Sequence, residues 1–273
     1  HVETRTRRRK AGMTLSPALF ACAAIVEKGD PDRFAATMAA PSDARLALWP
    51  LYAFNVEVAR AAYASTEPMV AEMRLQWWAD HLADLDADLS PSGEVAEALQ
   101  PLLRKSPGLS PVLTAIAEAR RQDCWPEPFP NRAALWLYLE QTAGNLMWAA
   151  AWLLGASERD KDSVRAYGRA VGLANWLHAR PDLIRHKRLE LSGADAVLLG
   201  DLAKEGLREF RAARSALKDV DASARPALWA GWATMARLKA AAADPDRIDE
   251  GRLGPPEAYR APALLWRTLT RAI

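Results

Sequence analysis

Two groups of residues have types and spacing that could do chemistry, one acidic and one basic. Asp80 and Asp84 stand four apart, with Asp88 four further on, so on a helix they share one face. Paired carboxylates of this kind hold magnesium when a diphosphate completes the oxygen shell. The competing reading, a solvated acidic face, has the stronger support. The row lies at the outgoing end of a helix next to Ser90-Pro91, and Asp84, Asp86 and Asp88 alternate, which keeps them off a single face. The basic group is Arg180, Arg185, His186, Lys187 and Arg188, with Asp182 among them, around and beyond Pro181. At the mouth of a helical cavity such cations would bind a phosphate or diphosphate, Arg through bidentate bonds and Lys as a point charge. A charged segment closing a helix C-terminus accounts for the same composition, because cations are favoured there in any case.

Other chemistries have no starting point. His81, His178 and His186 show no i, i+4 pairing among themselves, which removes a histidine-based metal site. The sequence has no Gly-x-Ser-x-Gly elbow, no phosphate-binding Gly-rich loop and no Gly-x-Gly-x-x-Gly. Cys22 and Cys124 are too few and too far apart for a disulfide framework, so a reducing, cytoplasmic setting is expected.

The elements that must position these groups are helical. The chain is rich in Ala, Leu, Arg and Glu and shows little period-two alternation, which predicts an all-α fold. Breakers such as Gly29-Asp30-Pro31, Ser106-Pro107-Gly108 and Asp244-Pro245 leave room for about ten helices between them. Ser42 or Asp43, Asn131 and Ser157 are expected to cap helices over 44–62, 132–154 and 158–178. Within the second of these, Leu139, Leu146, Trp148 and Leu153 are expected to be buried on a central helix. The third should stop before Pro181, which cannot donate to a regular helix.

The 11 Trp residues are spread along the whole chain, which predicts one domain over 13–273. Of the net charge of +2, residues 1–12 carry +4, from five basic residues against Glu3, leaving −2 on the remainder. Residues 1–12 read as a disordered basic tail, and the body lacks the basic face that nucleic acid would require. The longest charge-free stretch, Gln141 to Ser157, is short of a bilayer span. Membrane contact, if present, is therefore peripheral.

Three segments together resemble the squalene/phytoene synthase family. Arg45-Leu-Ala-Leu-Trp-Pro-Leu-Tyr52-Ala-Phe54 is similar to the family's arginine followed by a Tyr-Ala-Phe helix, and Tyr138-Leu-Glu-Gln-Thr-Ala-Gly144 to its tyrosine followed by Val-Ala-Gly. Gly172-Leu-Ala-Asn-Trp-Leu-His-Ala-Arg-Pro-Asp182 lies where the family has Asn-Ile-Leu-Arg-Asp. With Arg74-Leu-Gln-Trp-Trp-Ala-Asp80 in between, the likeness runs from about Met13 to Leu191. It implies an isoprenoid-synthase-like bundle around a central hydrophobic cavity. The wording around Asn55 and Arg74 also resembles a divergent branch that includes a mitochondrial respiratory complex I assembly factor.

In the family's enzymes two aspartate-rich helices bind magnesium ions that grip an isoprenyl diphosphate, whose loss gives an allylic cation that joins a second chain. Magnesium needs octahedral oxygen donors. Here Ala59, Arg60 and Tyr63 stand at the positions of the first aspartate motif, and His186 replaces the second acid of the other, leaving Asp182. The resemblance therefore implies a protein without magnesium-dependent catalysis that binds a prenyl-type, anionic lipid or a protein partner, with a role in respiratory-complex assembly and a position peripheral to the inner membrane. Arg45, Tyr52, Tyr138, Arg180, Asp182, Arg185, Lys187 and Arg188 would bind the lipid. Two alternatives stand beside it. One is an active head-to-head prenyltransferase, in which Tyr138 and Asp182 would be catalytic and magnesium the cofactor, with Asp80 and Asp84 as spare metal ligands. The other is an interaction protein whose cavity is filled by Trp and Leu side chains.

Overall fold

The computed structural model describes residues 16–65 and 67–273; the basic tail of the sequence reading lies outside them. The fold is all-α. The helices are α1 (Pro17–Gly29), α2 (Pro31–Ala39), α3 (Ser42–Arg60), α4 (Pro68–Asp86), α5 (Glu94–Lys105), α6 (Leu109–Ala119), α7 (Arg132–Leu139), α8 (Asn145–Leu153), α9 (Lys161–Arg185), α10 (Ala196–Ala216), α11 (Thr234–Ala243) and α12 (Arg260–Thr270). A single parallel bridge, Phe129 to Leu191, is the only β pairing among the described residues. No described helix is long and apolar enough to cross a membrane.

Local chemistry sets most boundaries. Asp30 closes α1 and caps α2, its carboxylate accepting from Arg33 N at 3.0 Å, and Pro31 follows at the position where a missing N–H costs nothing. Asn131 accepts from Ala134 N at 3.0 Å to open α7. Ser157 and Asp160 form a reciprocal capping box ahead of α9. Two boundaries depart from the sequence reading. The 132–154 helix is interrupted by a π-helical turn, Glu140–Gly144, and α9 runs through Pro181 to Arg185. A proline inside a helix costs about 3 kcal/mol. Anchors on both sides hold the helix across it: Leu177 is fully buried, Leu183 packs on the core, and Arg180 is buried and paired with Asp249.

Leu139, Leu146 and Trp148 lie in the core as expected, whereas Leu153, in the last turn of α8, is half-buried. The π turn is pressed against α9 at two glycines. A Cβ on Gly168 would stand 2.7 Å from the Ala143 carbonyl oxygen and 2.5 Å from the Met147 Cβ, and one on Gly172 would stand 2.6 Å from the Ala143 Cβ. Gly168→Ala should therefore destabilise the protein, by about 1–2 kcal/mol once the gain in helix propensity is deducted. Urea unfolding would measure it, and an unchanged or raised midpoint would show that the π turn can move away.

Candidate functional site

Helices α3 and α9 flank a chamber of about 780 Å³, with the π turn on a third side and segments 229–237 and 254–260 closing it. The apolar wall includes Val56, Leu139, Ala143, Trp176, Leu183 and Trp232. The filled-cavity expectation does not hold, because the Trp and Leu side chains line this space and leave it open. Five polar atoms on chamber residues are buried without a protein partner: Asn55 Oδ1, Arg120 Nε, His178 Nδ1, Trp232 Nε1 and Arg237 Nε. Such atoms are costly to leave unsatisfied.

The charges of the chamber are mostly neutralised within the protein. Arg120 Nη1 donates to Asp123 Oδ2 at 3.0 Å and to Tyr138 Oη at 2.8 Å, and Tyr138 Oη donates to Asp123 Oδ1 at 2.7 Å. Burial pushes the Asp123 carboxyl above its usual range, against the opposing pull of Arg120 and of the Tyr138 hydrogen bond. Burial also drives the Tyr138 phenol well above its ordinary value, with Arg120 opposing and Asp123 reinforcing. Tyr138 thus keeps its proton. Asp32 pairs with Arg237 at 2.8 Å and Arg260 at 3.5 Å, and Arg237 also reaches Asn175 Oδ1 at 2.7 Å. Arg33 pairs with Asp30.

An outer groove of about 990 Å³ shares Val56, Arg60 and Tyr63 with the chamber and is otherwise bounded by Ile25, Glu57, Ala64, Arg74, Asp182, Arg185 and His186. Its cations outnumber its acids. Arg60 is exposed, touches only the Lys28 carbonyl at 3.4 Å, and forms no ion pair among the described residues. Asp182 is engaged by Arg185 one turn on. His186 meets the Tyr63 ring edge to face at 6.0 Å. These donors do not fit magnesium, which would meet guanidinium groups, a phenol, an imidazole, the already paired Asp182 and only Glu57 besides, where it needs several converging anionic oxygens. Among the described residues no three His, Cys, Asp or Glu side chains converge as a metal site.

The other residues picked out in the sequence lie elsewhere. Arg45 donates to the Ala40 and Met38 carbonyls at 3.0 and 2.7 Å, holding the α2–α3 connection, and lines neither cavity. Tyr52 is buried behind Arg33, whose guanidinium lies 5.6 Å from its ring centre. Arg180 is tied to Asp249, and Lys187 is an exposed residue in the left-handed region. Arg188 donates to the carbonyls of Asp123 (2.9 Å), Cys124 (2.5 Å) and Ala62 (3.3 Å), so it braces the cavity from outside. Asp80 and Asp84 are exposed and away from both cavities, Asp80 accepting from Gln76. The sequence reading missed Asp32, Arg33, Arg120, Asp123, Arg237 and Arg260. Arg33, the Arg120–Asp123 pair and Arg260 left a local signal, an i, i+3 ion pair with Asp30, within the pair itself and with Glu257 respectively; Asp32 and Arg237 left none.

His178 gives the chamber a measurable pH response. Burial, then Arg237, pull its pKa below 6.5, with Asp32 opposing. The unfolded chain then takes up this proton first as pH falls, so stability present above about pH 6.5 is lost on going lower. Urea midpoints should fall more between about pH 7.5 and 5.5 for the wild type than for His178→Asn. Equal falls would show that the ring is solvated.

Comparison with known proteins places this geometry among relatives. The squalene/phytoene synthase family matches residues 26–195. NADH dehydrogenase (ubiquinone) complex I assembly factor 6 of Bos taurus is 26% identical over 206 residues, 74% of this chain and 62% of that protein. The Drosophila melanogaster homologue is 29% identical over 206 residues, 72% and 59% respectively. The chain thus spans about three fifths of the length of these relatives, and 48% of the Homo sapiens protein. Among solved structures, a dehydrosqualene synthase in complex with a ligand superposes with a TM-score of 0.74 at 17% identity, covering 93% of this chain and 96% of that one. Squalene synthase HpnC from Alicyclobacillus acidocaldarius gives 0.61 at 14%, with 93% and 94% covered. At those identities the likeness is one of fold.

Proposed function

The chain belongs to the squalene/phytoene synthase family, and we propose that it uses the fold to bind a prenyl-type anionic lipid without magnesium-dependent condensation, in the service of respiratory-complex assembly. Arg60 is the observation that carries this reading. It stands exposed and without a carboxylate partner at the junction of chamber and groove, where the family's enzymes place a metal-binding acid. A guanidinium there offers charge-assisted hydrogen bonds directly to a phosphate, the task that the metal performs in the enzymes. The lipid's chain would lie along the apolar wall.

The assembly role is supported by the relatives, which are named for complex I assembly. In that role the protein would act through a protein partner and stay peripheral to the inner membrane, on the side facing the cytoplasm or its mitochondrial counterpart. The prenyltransferase alternative would have to obtain metal ligands from Asp182, which Arg185 already engages, and proton transfer from Tyr138, whose phenol is buried between Arg120 and Asp123.

The test is a titration with farnesyl diphosphate, followed by tryptophan fluorescence, with magnesium and then with chelator. Equal affinity in both is expected. Arg60→Ala should weaken binding by about 1.5–3 kcal/mol, roughly 10- to 150-fold. Magnesium-dependent turnover abolished by Asp182→Ala would establish the enzyme instead, and no binding under either condition would end the lipid reading.

A further inference from the structure

A third cavity, of about 460 Å³, shares no lining residue with the chamber or the groove and lies between the end of α10, the Arg225–Leu228 turn and residues 272–273. Arg211, Arg214, Lys218 and Arg225 line it with no Asp or Glu side chain among the lining residues, over an apolar surface of Met235, Ala272 and Ile273. None of these four cations forms an ion pair among the described residues. In the chamber, by contrast, Arg33, Arg120, Arg237 and Arg260 have acid partners and only Arg60, at its opening, has none among the described residues.

The pocket is held in shape by its own hydrogen bonds. Arg225 donates to the carbonyls of Arg271 and Lys218, both at 3.1 Å, and Trp229 Nε1 donates to the Ala272 carbonyl at 3.0 Å. Arg225 Nε is buried without a partner. Behind the pocket, burial and then Arg214 pull the Arg267 guanidinium below its usual value, with Tyr167 opposing. The acid whose charge is felt next to Arg225 is Asp221, and its carboxylate is engaged by Ser223 N at 2.8 Å and Ser223 Oγ at 2.6 Å. Those hydrogen bonds favour the ionised carboxylate, so Asp221 offsets part of the charge of Arg225, and the field of Arg211, Arg214 and Lys218 is left for an outside anion to balance.

We propose that this pocket binds a phosphate group carried on an apolar chain. Arginine forks match phosphate oxygens, and the multiple charge of a phosphate suits four converging cations better than a single carboxylate does. The apolar surface calls for hydrocarbon beside the phosphate. A nucleic-acid strand fits less well, because no aromatic side chain lines the pocket to stack a base.

A phospholipid headgroup and a soluble phosphate share this chemistry, and two measurements on the full chain separate them. The first is cosedimentation with phosphatidylcholine vesicles, plain or containing roughly a third phosphatidylglycerol. The second is titration with inorganic pyrophosphate. Both use the double variant Arg211→Glu/Lys218→Glu, whose positions are exposed and whose side chains make no hydrogen bond that the fold depends on, and Arg60→Ala as a chamber control. Binding to the anionic vesicles that falls at least roughly tenfold in the double variant but not in Arg60→Ala supports the site with a lipid source. The same pattern for pyrophosphate alone supports it with a soluble one. Binding that survives the double variant once Arg60→Ala has removed the chamber's share, or that occurs in neither measurement, overturns it. The Arg60 arm also keeps this outcome distinct from the chamber reading, which can fail or hold on its own.

Discussion

Asp123→Ala is expected to destabilise the protein by about 3–5 kcal/mol, because it leaves the Arg120 guanidinium charged inside the fold with its carboxylate removed. Asp123 is 3% exposed and accepts from both Arg120, at 3.0 Å, and the Tyr138 hydroxyl, at 2.7 Å. Tyr138→Phe should cost less, about 0.5–1.5 kcal/mol from its hydrogen bonds, since Arg120 and Asp123 remain paired. Urea denaturation of the two variants gives the comparison. An Asp123→Ala cost below about 1 kcal/mol would mean that water reaches the guanidinium and that the cluster is part of the open chamber. The outcome bears on function, because a tightly satisfied cluster leaves Arg120 with little to offer a ligand.

The second large effect is expected in the apolar core. Leu146→Ala should cost about 2–5 kcal/mol, the range for a buried leucine whose surroundings cannot collapse. Leu146 is 2% exposed on α8, which packs against α3, α6 and α9 and is held at its start by the π turn. Leu153→Ala, on the half-buried last turn of the same helix, should cost clearly less. A pair of equal costs, or a Leu146 effect below about 0.5 kcal/mol, would contradict this packing.

The substitutions at the groove act together on what can enter the chamber. With Arg60 and Arg74 at the groove against Glu57, and Arg185 engaged by Asp182, a dication meets net positive charge there. A phosphate meets the reverse.

The sequence by itself determined the helices, and the reason is that helix formation is local. Caps such as Asn131 and Ser157 and the burial rhythm of Leu139, Leu146 and Trp148 act within a few turns of chain. It also placed Tyr138 at the chamber and Ala59, Arg60 and Tyr63 along its opening. What only the tertiary structure decided is where each charge finds its partner. Arg188 reaches a carbonyl 126 residues back in the chain, Arg180 reaches an acid 69 residues ahead, and Arg237 reaches Asp32 across 205 residues. A guanidinium reads the same in sequence whether it faces a ligand or a backbone carbonyl, and packing makes the choice by bringing donors into reach. Pro181 shows the same division, since its local cost to α9 is known from the sequence while the buried anchors that outweigh it are supplied by distant residues.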